Sequence, residues 1–354
     1  MSPVTDAELL VVGGGPVGLA AAIHARQRGI DVVVVEPRGT PIDKACGEGV
    51  MPGALTTLDR LGVSTEGADL RGIAYVQGGI RAEHRFAGRS GRGVRRTVLQ
   101  RALSDRAEQL GITRRVGRVE HLVQDARSVS VGVTDAEAGL ERITARWLIG
   151  ADGLHSTVRE LVGASRPPRR GTRRRFGLRQ HFRIAPWGDL IEVHWTPRLE
   201  AYVTPLGSEL VGVALLGPPG VDYSRALASV PELGDRLAEA AVDGPVRGAG
   251  PLRQLTSARA IGRVLLAGDA SGYVDALTGE GLRVGFAQAD AAVRAIKTGN
   301  VRRYEWEWVR TTRDFRLITS ALVAGAGSPL RTRIVPASAR LPRLFGAVVE
   351  RLAR

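Results

Sequence analysis

Three short segments rich in glycine and aspartate carry the chemistry this sequence can do. The first is Gly13-Gly14-Gly15-Pro16-Val17-Gly18, a G-x-G-x-x-G with Gly13, Gly15 and Gly18 at its key positions. Glycines at that spacing allow a tight turn. They let a pyrophosphate approach the free N–H groups of a following helix, whose dipole favours negative charge. Glu36 stands 18 residues beyond Gly18 and is followed by Pro37 and Arg38. A carboxylate there accepts hydrogen bonds from an adenosine ribose and disfavours a 2′-phosphate, so the site suits FAD or NAD rather than NADP. The second segment is Gly150-Ala151-Asp152-Gly153-Leu154-His155-Ser156. The third is Gly268-Asp269-Ala270-Ser271-Gly272, with Thr278-Gly279-Glu280-Gly281-Leu282 shortly after it.

Each segment needs an element to aim it, and the flanking residues provide one. Leu9-Leu10-Val11-Val12 is a continuous apolar run of the kind buried parallel strands show. A helix is expected from Pro16 to Arg28, ended by Gly29, and a second buried strand from Asp31 to Val35 stops at Glu36. Arg146-Trp147-Leu148-Ile149 and Val264-Leu265-Leu266-Ala267 read as strands leading into the second and third segments, and a helix follows Leu282 to about Ile296. With 354 residues, 44% hydrophobic and 24% charged, the chain has the composition of a globular α/β protein. Its single cysteine, Cys46, excludes an internal disulfide and a cysteine metal cluster. The N-terminus does not read as a signal peptide and no run reaches 18 apolar residues, so a cytoplasmic location is expected. The net charge of +14 comes almost wholly from arginine, since Lys44 and Lys297 are the only lysines. With 5% aromatic residues and no nucleic-acid-binding motif, no nucleic-acid partner is expected.

The three segments, in this order and spacing over residues 8 to 296, resemble the FAD-dependent monooxygenases of the para-hydroxybenzoate hydroxylase type and their relatives, the geranylgeranyl reductases. The resemblance implies an α/β chain: a discontinuous Rossmann-like FAD-binding domain of the glutathione-reductase type, an inserted antiparallel-sheet substrate domain and a helical C-terminus. It implies FAD as cofactor and NADPH or NADH as reductant. It also assigns roles residue by residue. Asp269 should bond a ribityl hydroxyl, with Gly268 allowing close approach. Gly281 and Leu282 should place N–H groups at the flavin pyrimidine edge, where a helix N-terminus stabilises an anionic reduced ring, and Gly279 is expected to bind the cofactor beside them. Asp152 and Gly153 should lie by the pyrophosphate, the alternative for Asp152 being a helix cap. Arg96 matches a position that contacts ribityl or phosphate oxygens.

Lys44-Ala45-Cys46-Gly47-Glu48-Gly49 resembles the cysteine-glycine loop of the reductase branch, and similar loops occur in flavin hydroxylases that oxidise phenolic lipids. In this superfamily the loop passes beside the isoalloxazine, which would place Cys46, Gly47 and Glu48 there. The alternative for Cys46 is an inert small hydrophobe. The reductases' Tyr-x-Trp-x-Phe-Pro substrate motif is missing, with only a partial echo at Ala201-Tyr202-Val203-Thr204-Pro205, and the halogenases' Trp-x-Trp-x-Ile-Pro motif is missing too. Trp306 and Trp308 read as a helix surface.

The expected division places FAD binding in residues 1–72, 95–165 and 260–300, and a substrate sheet in 73–94 and 166–259. A helical segment at 301–354 completes the chain. Alternating strands are expected at Phe176–Ile184, Leu190–Trp195, Glu200–Pro205 and Glu209–Leu216, roofing a cavity whose floor is the flavin. Cys46, Glu48, Glu280, His194 and Tyr202 are the candidates for catalysis, with His181 and Glu192 as further substrate contacts. A histidine beside a phenol can act as base; the expectation for Glu192 and His194 is nonetheless the solvated face of an open sheet. The arginine-rich run Arg166 to Arg175 is expected to be a solvated interdomain connection, the alternative being a grip on the phosphates of a nicotinamide cofactor. Residues 301–354 carry net +7, and Leu341, Leu344, Phe345, Val348, Val349 and Leu352 form a helical apolar stripe. That helix is expected to dock on the flavin domain, the alternative being peripheral contact with an anionic membrane. The expected activity is hydroxylation or epoxidation of an aromatic or lipid-like small molecule. The rivals are flavin-dependent reduction of an alkene or polyprenyl chain, and a flavin-binding partner without turnover.

Overall fold

The computed structural model describes residues 5–135, 139–168 and 171–354. Two sheets organise them. The first is parallel at its centre. It is built from β1 (Ala7–Val12), β2 (Val32–Glu36), the long β3 (Gly139–Gly150) and β4 (Val264–Leu266), in the spatial order β4-β3-β1-β2. Register pairs Val12 with Gly150 and Gly150 with Leu266. The carboxyl ends of three adjacent strands therefore stop level with one another. The three motif segments begin there side by side, in the crevice where open α/β sheets bind ligands.

Local chemistry explains the elements. Leu9, Leu10 and Val11 are fully buried because helices cover one face of the sheet and a hairpin of strands covers the other. Helix α1 (Pro16–Gln27) starts with proline at its first turn, where a missing N–H costs nothing, and the chain leaves it through Gly29 at φ +74°. Helices α2 (Pro52–Leu61) and α3 (Arg96–Gln109) pack with α1 on the same face as the long α4 (Gly281–Thr298).

The second sheet has the spatial order β6-β9-β8-β7-β5. Its strands are β5 (Gly72–Gln77), β6 (Phe176–Arg183), β7 (Leu190–Trp195), β8 (Glu200–Gly207) and β9 (Leu210–Gly217). It differs from the expected all-antiparallel roof at one place. Strands β5 and β7 run parallel, because the chain returns from Gln77 through Ile80–Arg85 and the first domain before entering β7. Its far face is not open to water either: α5 (Tyr223–Ala228) and α6 (Pro231–Leu237) cover it with Tyr223, Leu233 and Leu237.

The last three helices are α7 (Val301–Ala326), α8 (Ile334–Arg340) and α9 (Pro342–Ala353). The apolar stripe of α9 was expected on the flavin half, but it docks on the edge of the second sheet. Phe345 packs on Tyr75 with ring centres 5.0 Å apart and planes tilted by 60°, and Glu350 accepts from Ala87 N at 2.7 Å and pairs with His84 at 2.9 Å. Trp308 is another departure from expectation. It is buried, donating Nε1–H to Ser271 Oγ at 2.8 Å, whereas Trp306 lies on the surface. In the arginine run, of which residues 169 and 170 lie outside the described residues, Arg175 is half-buried rather than solvated, between Glu200 at 2.5 Å and Asp275 at 3.2 Å.

Candidate active site

The crevice is shaped by backbone. Gly13 has φ +112°, and a Cβ there would lie 2.5 Å from the Ala151 carbonyl oxygen, so the first and second motif loops touch only because this residue has no side chain. A Cβ at Gly18 would collide with the Gly13 carbonyl. Gly15 caps α1, leaving the first N–H groups of the helix facing the crevice. Glu36 ends β2 beside the loop. It accepts from Gly14 N at 2.8 Å and from Arg38 Nε at 2.6 Å, which fixes its carboxylate at the crevice edge, and Pro37 turns the chain away. Arg96 opens α3 with its guanidinium toward Gly15 and its Nε buried without a partner. Gly268 donates its N–H to Gln288 Oε1 at 2.7 Å, and Val17 packs against it.

From this crevice a cavity of about 380 Å³ runs to the second sheet and α9. Its inner end is polar, lined by Lys44, Glu48, Arg96, Asp269 and Glu280 together with Gly47, Gly279, Gly281 and Leu282. Lys44 Nζ lies 3.8 Å from Asp269 Oδ2. The outer end is apolar: Ile73, Tyr75, Ile191 and Val193 come from the sheet, and Leu344, Phe345, Val348 and Val349 from α9.

The loop from Asp43 to Glu48 has no regular structure and is held by side chains. Glu48 is buried, with φ +60°, the one non-glycine residue at positive φ among the described residues. Glu48 Oε1 accepts from Arg96 N at 2.8 Å and Oε2 meets His181 Nε2 at 2.7 Å. Arg95 and Arg179 both approach His181 Nδ1, at 3.4 and 3.2 Å. Guanidinium groups only donate, so Nδ1 accepts and Nε2 carries the hydrogen given to Glu48. Thr204 Oγ1 donates to Gly47 O at 2.8 Å. These bonds anchor Cys46, half-buried at the cavity wall with Sγ 3.4 Å from Glu48 N.

Glu280 sits at the start of α4 with its carboxyl paired to Arg283 through Oε2, while Oε1 is buried without a partner. Burial pushes its pKa up to about 7, against the pull of Arg283. Burial also raises Asp152, whose Oδ2 accepts from Val158 N at 3.0 Å while Oδ1 has no partner. The capping alternative for Asp152 therefore describes one of its two oxygens. Tyr202 lies on the cavity wall and donates its hydroxyl to Leu277 O at 2.7 Å. Burial, and next the charge of Glu200, hold that phenol well above its ordinary value.

The matching family model is an FAD binding domain, over residues 6–186. The chain belongs to this FAD-binding family. A menaquinone reductase of Mycolicibacterium smegmatis is 29% identical over 338 residues, covering 86% of this chain and 80% of that protein. A digeranylgeranylglycerophospholipid reductase of Methanosarcina acetivorans is 27% identical over 347 residues, covering 86% and 81%. Among solved structures, a p-nitrophenol 4-monooxygenase of Pseudomonas putida superposes with TM-score 0.82 at 22% identity, covering 99% of this chain and 97% of that one, and so shares the fold. The chain is thus a flavoprotein of the oxidoreductase class with FAD as its cofactor.

In this flavoprotein the cavity gathers Cys46, Glu48, Glu280 and Tyr202, but not His194. Alternation along β7 sends Ile191 and Val193 to the cavity, while Glu192 and His194 go to the far face. There His194 is buried, 3.3 Å from Glu192, and Glu192 is taken up by Arg81 and Trp187. His181 does face the cavity side but is committed to Glu48. No helix among the described residues is long and apolar enough to cross a membrane. The sequence reading missed the apolar positions Ile73, Ile191 and Val193, although the period-two pattern of their strands marks one consistent face. It also missed Gln288, which has no motif of its own, and gave Lys44 no role although it opens the cysteine-glycine loop.

Proposed function

We propose that this flavoprotein hydroxylates or epoxidises an aromatic or lipid-like small molecule, with NADPH or NADH as reductant. The observation that carries the substrate class is the single cavity with a polar inner end at the motif loops and an apolar outer end closed by α9. The features that fit FAD are the open space at Gly15, where a Cβ would meet nothing nearer than Arg96 Nη2 at 3.8 Å, the unpartnered Arg96 Nε, and the unpartnered carboxyl oxygens of Asp152 and Glu280. In this reading Gly13, Gly15, Pro16, Val17 and Gly18 cradle the pyrophosphate at the α1 N-terminus. Glu36, with Pro37 and Arg38 setting its position, holds the adenosine ribose. Arg96 and Asp269 take the ribityl and phosphate oxygens, with Gly268 and Gly153 giving room. Cys46, Gly47, Gly279, Gly281 and Leu282 border the ring. Bound FAD supplies redox chemistry that no side chain of the chain can.

The residues do the rest. The apolar wall from Ile73 to Val349 orients an extended substrate and keeps water out. Tyr202 ties β8 to Leu277 and so fixes the wall beside the ring. Glu280 Oε1, titrating near neutrality, holds or yields a proton at the inner end of the cavity. Leu341 and Leu344 are exposed at the mouth beside exposed Arg340 and Arg343. That corner suits peripheral contact of a cytoplasmic protein with an anionic bilayer, which co-flotation with phosphatidylglycerol but not phosphatidylcholine vesicles would test.

A second reading, reduction of an alkene or polyprenyl chain, is favoured by one observation: the two relatives that each cover 86% of the chain are named reductases. Turnover of alkylphenols and of menaquinone under labelled oxygen separates the two. Hydroxylation incorporates one labelled oxygen per NADPH consumed. Product gaining two hydrogens and no label sinks the first reading.

A further inference from the structure

Behind the wall of the flavin crevice lies a second cleft, of about 90 Å³, between α4, α7 and residues 253–259. Its walls include Arg253, Arg259 and Arg316, with Thr312 and Ser320 alongside. Arg259 and Arg316 both lie against the indole of Trp308, their guanidinium carbons 3.9 and 4.9 Å from its ring. The indole cannot move aside, because its Nε1–H is fixed on Ser271 Oγ. The charge here is unbalanced. Glu305 is the nearby acid, 3.7 Å from Arg259, and it already accepts from the backbone N–H groups of Arg259 and Ala260. No carboxylate among the described residues pairs with Arg253 or Arg316, and Arg259 Nε is buried without a partner. Arg316 is held below its ordinary value first by burial, then by Arg259 and Arg253. Arg166 lines an adjoining hollow with Arg253 and adds to the excess.

We propose that this cleft is an oxyanion site of the phosphate type, formed by Arg253, Arg259 and Arg316. Planar guanidinium forks match phosphate oxygens, and an occupant there converts like-charge repulsion into charge-assisted hydrogen bonds. Tyr273 and Gly281 line both this cleft and the main cavity, so the anion would sit one layer of residues behind the inner end of the active site. The phosphate could be free or borne by a nucleotide; both present the same oxygens.

The test uses the FAD-loaded protein. Its thermal midpoint is followed against inorganic phosphate at constant ionic strength set with chloride, and binding is measured by calorimetry. The site gives a saturable upward shift. Arg316→Gln weakens phosphate binding by at least about tenfold, Arg316→Lys by less, and Arg253→Gln follows the same trend. In chloride alone, Arg316→Gln leaves the midpoint unchanged or raises it, because one repelling cation is gone. A cation with a purely structural role would instead lower that midpoint and leave the phosphate response intact. Equal phosphate responses in the wild type and all three variants would overturn the proposal, and so would a response that never saturates. A second arm replaces phosphate with adenosine 2′,5′-bisphosphate. Tighter binding with the same loss in the variants assigns the phosphate to a nucleotide, and equal binding assigns it to the free ion.

Discussion

The crevice and the apolar outer cavity meet at the same point but are made differently. The crevice is backbone: glycines at contact distance, the free N–H groups of α1 and α4, and the level carboxyl ends of β1, β3 and β4. The outer cavity is side chain: one face of β5 and β7 and the inward stripe of α9, brought together from positions more than 250 residues apart. Backbone sites tolerate almost no change and serve a ligand of fixed shape. Side-chain cavities can be re-cut residue by residue, which is how one fold takes many substrates.

That contrast fails if the two regions respond alike to substitution. The largest effect is expected for Gly18→Val, whose side chain has no space against Gly13: the purified protein should carry no FAD, read as loss of visible absorbance. Phe345→Ala should cost roughly 3 kcal/mol in denaturant unfolding, since it removes a buried ring packed at a tilt against Tyr75, yet leave FAD stoichiometry unchanged. Loss of FAD in that variant would break the comparison.

Glu280 gives a comparable effect in a different variable. Its folded pKa lies above the ordinary carboxylate range, so unfolding is favoured as the carboxyl is forced to ionise. Its contribution to stability is fully present below about pH 4.5 and disappears as pH rises through about 7. Glu280→Gln should flatten that segment of the apoprotein's stability profile, by an amount on the order of 3 kcal/mol across it. An unchanged profile would remove Glu280 as the titrating group. The smallest effect is expected for His194→Asn, which should change kcat less than about threefold, because the ring lies on the far face of β7 with Glu192.

How much of this was legible in the sequence follows the same division. The apolar run at Leu9 to Val12, the glycine spacing and Glu36 at the end of β2 announce the crevice, because backbone geometry imposes residue types at fixed separations. The strand limits of the second sheet were equally readable, down to Leu190–Trp195. The face each strand turns to the cavity was not. Assigning His194 to the cavity or the solvated face required knowing that α5 and α6 cover the far side. Alternation alone could say only that Glu192 and His194 point the same way. The docking of α9 was hidden for a similar reason: its stripe is apolar whichever sheet receives it, and the choice is made by partners such as Tyr75 and His84. Trp308 and Arg175 were misjudged from neighbours in sequence, whereas Ser271, Glu200 and Asp275, distant in the chain, supply the partners that hold them.

The continuity of the two regions is the central claim, and flavin absorbance during titration with an alkylphenol tests it most directly. Wild-type protein should show a saturable spectral perturbation. Val193→Trp, which fills the apolar end without touching the motif loops, should keep full FAD content and lose that perturbation. An equal perturbation in Val193→Trp would mean that the ligand reaches the flavin by another route, contradicting the account.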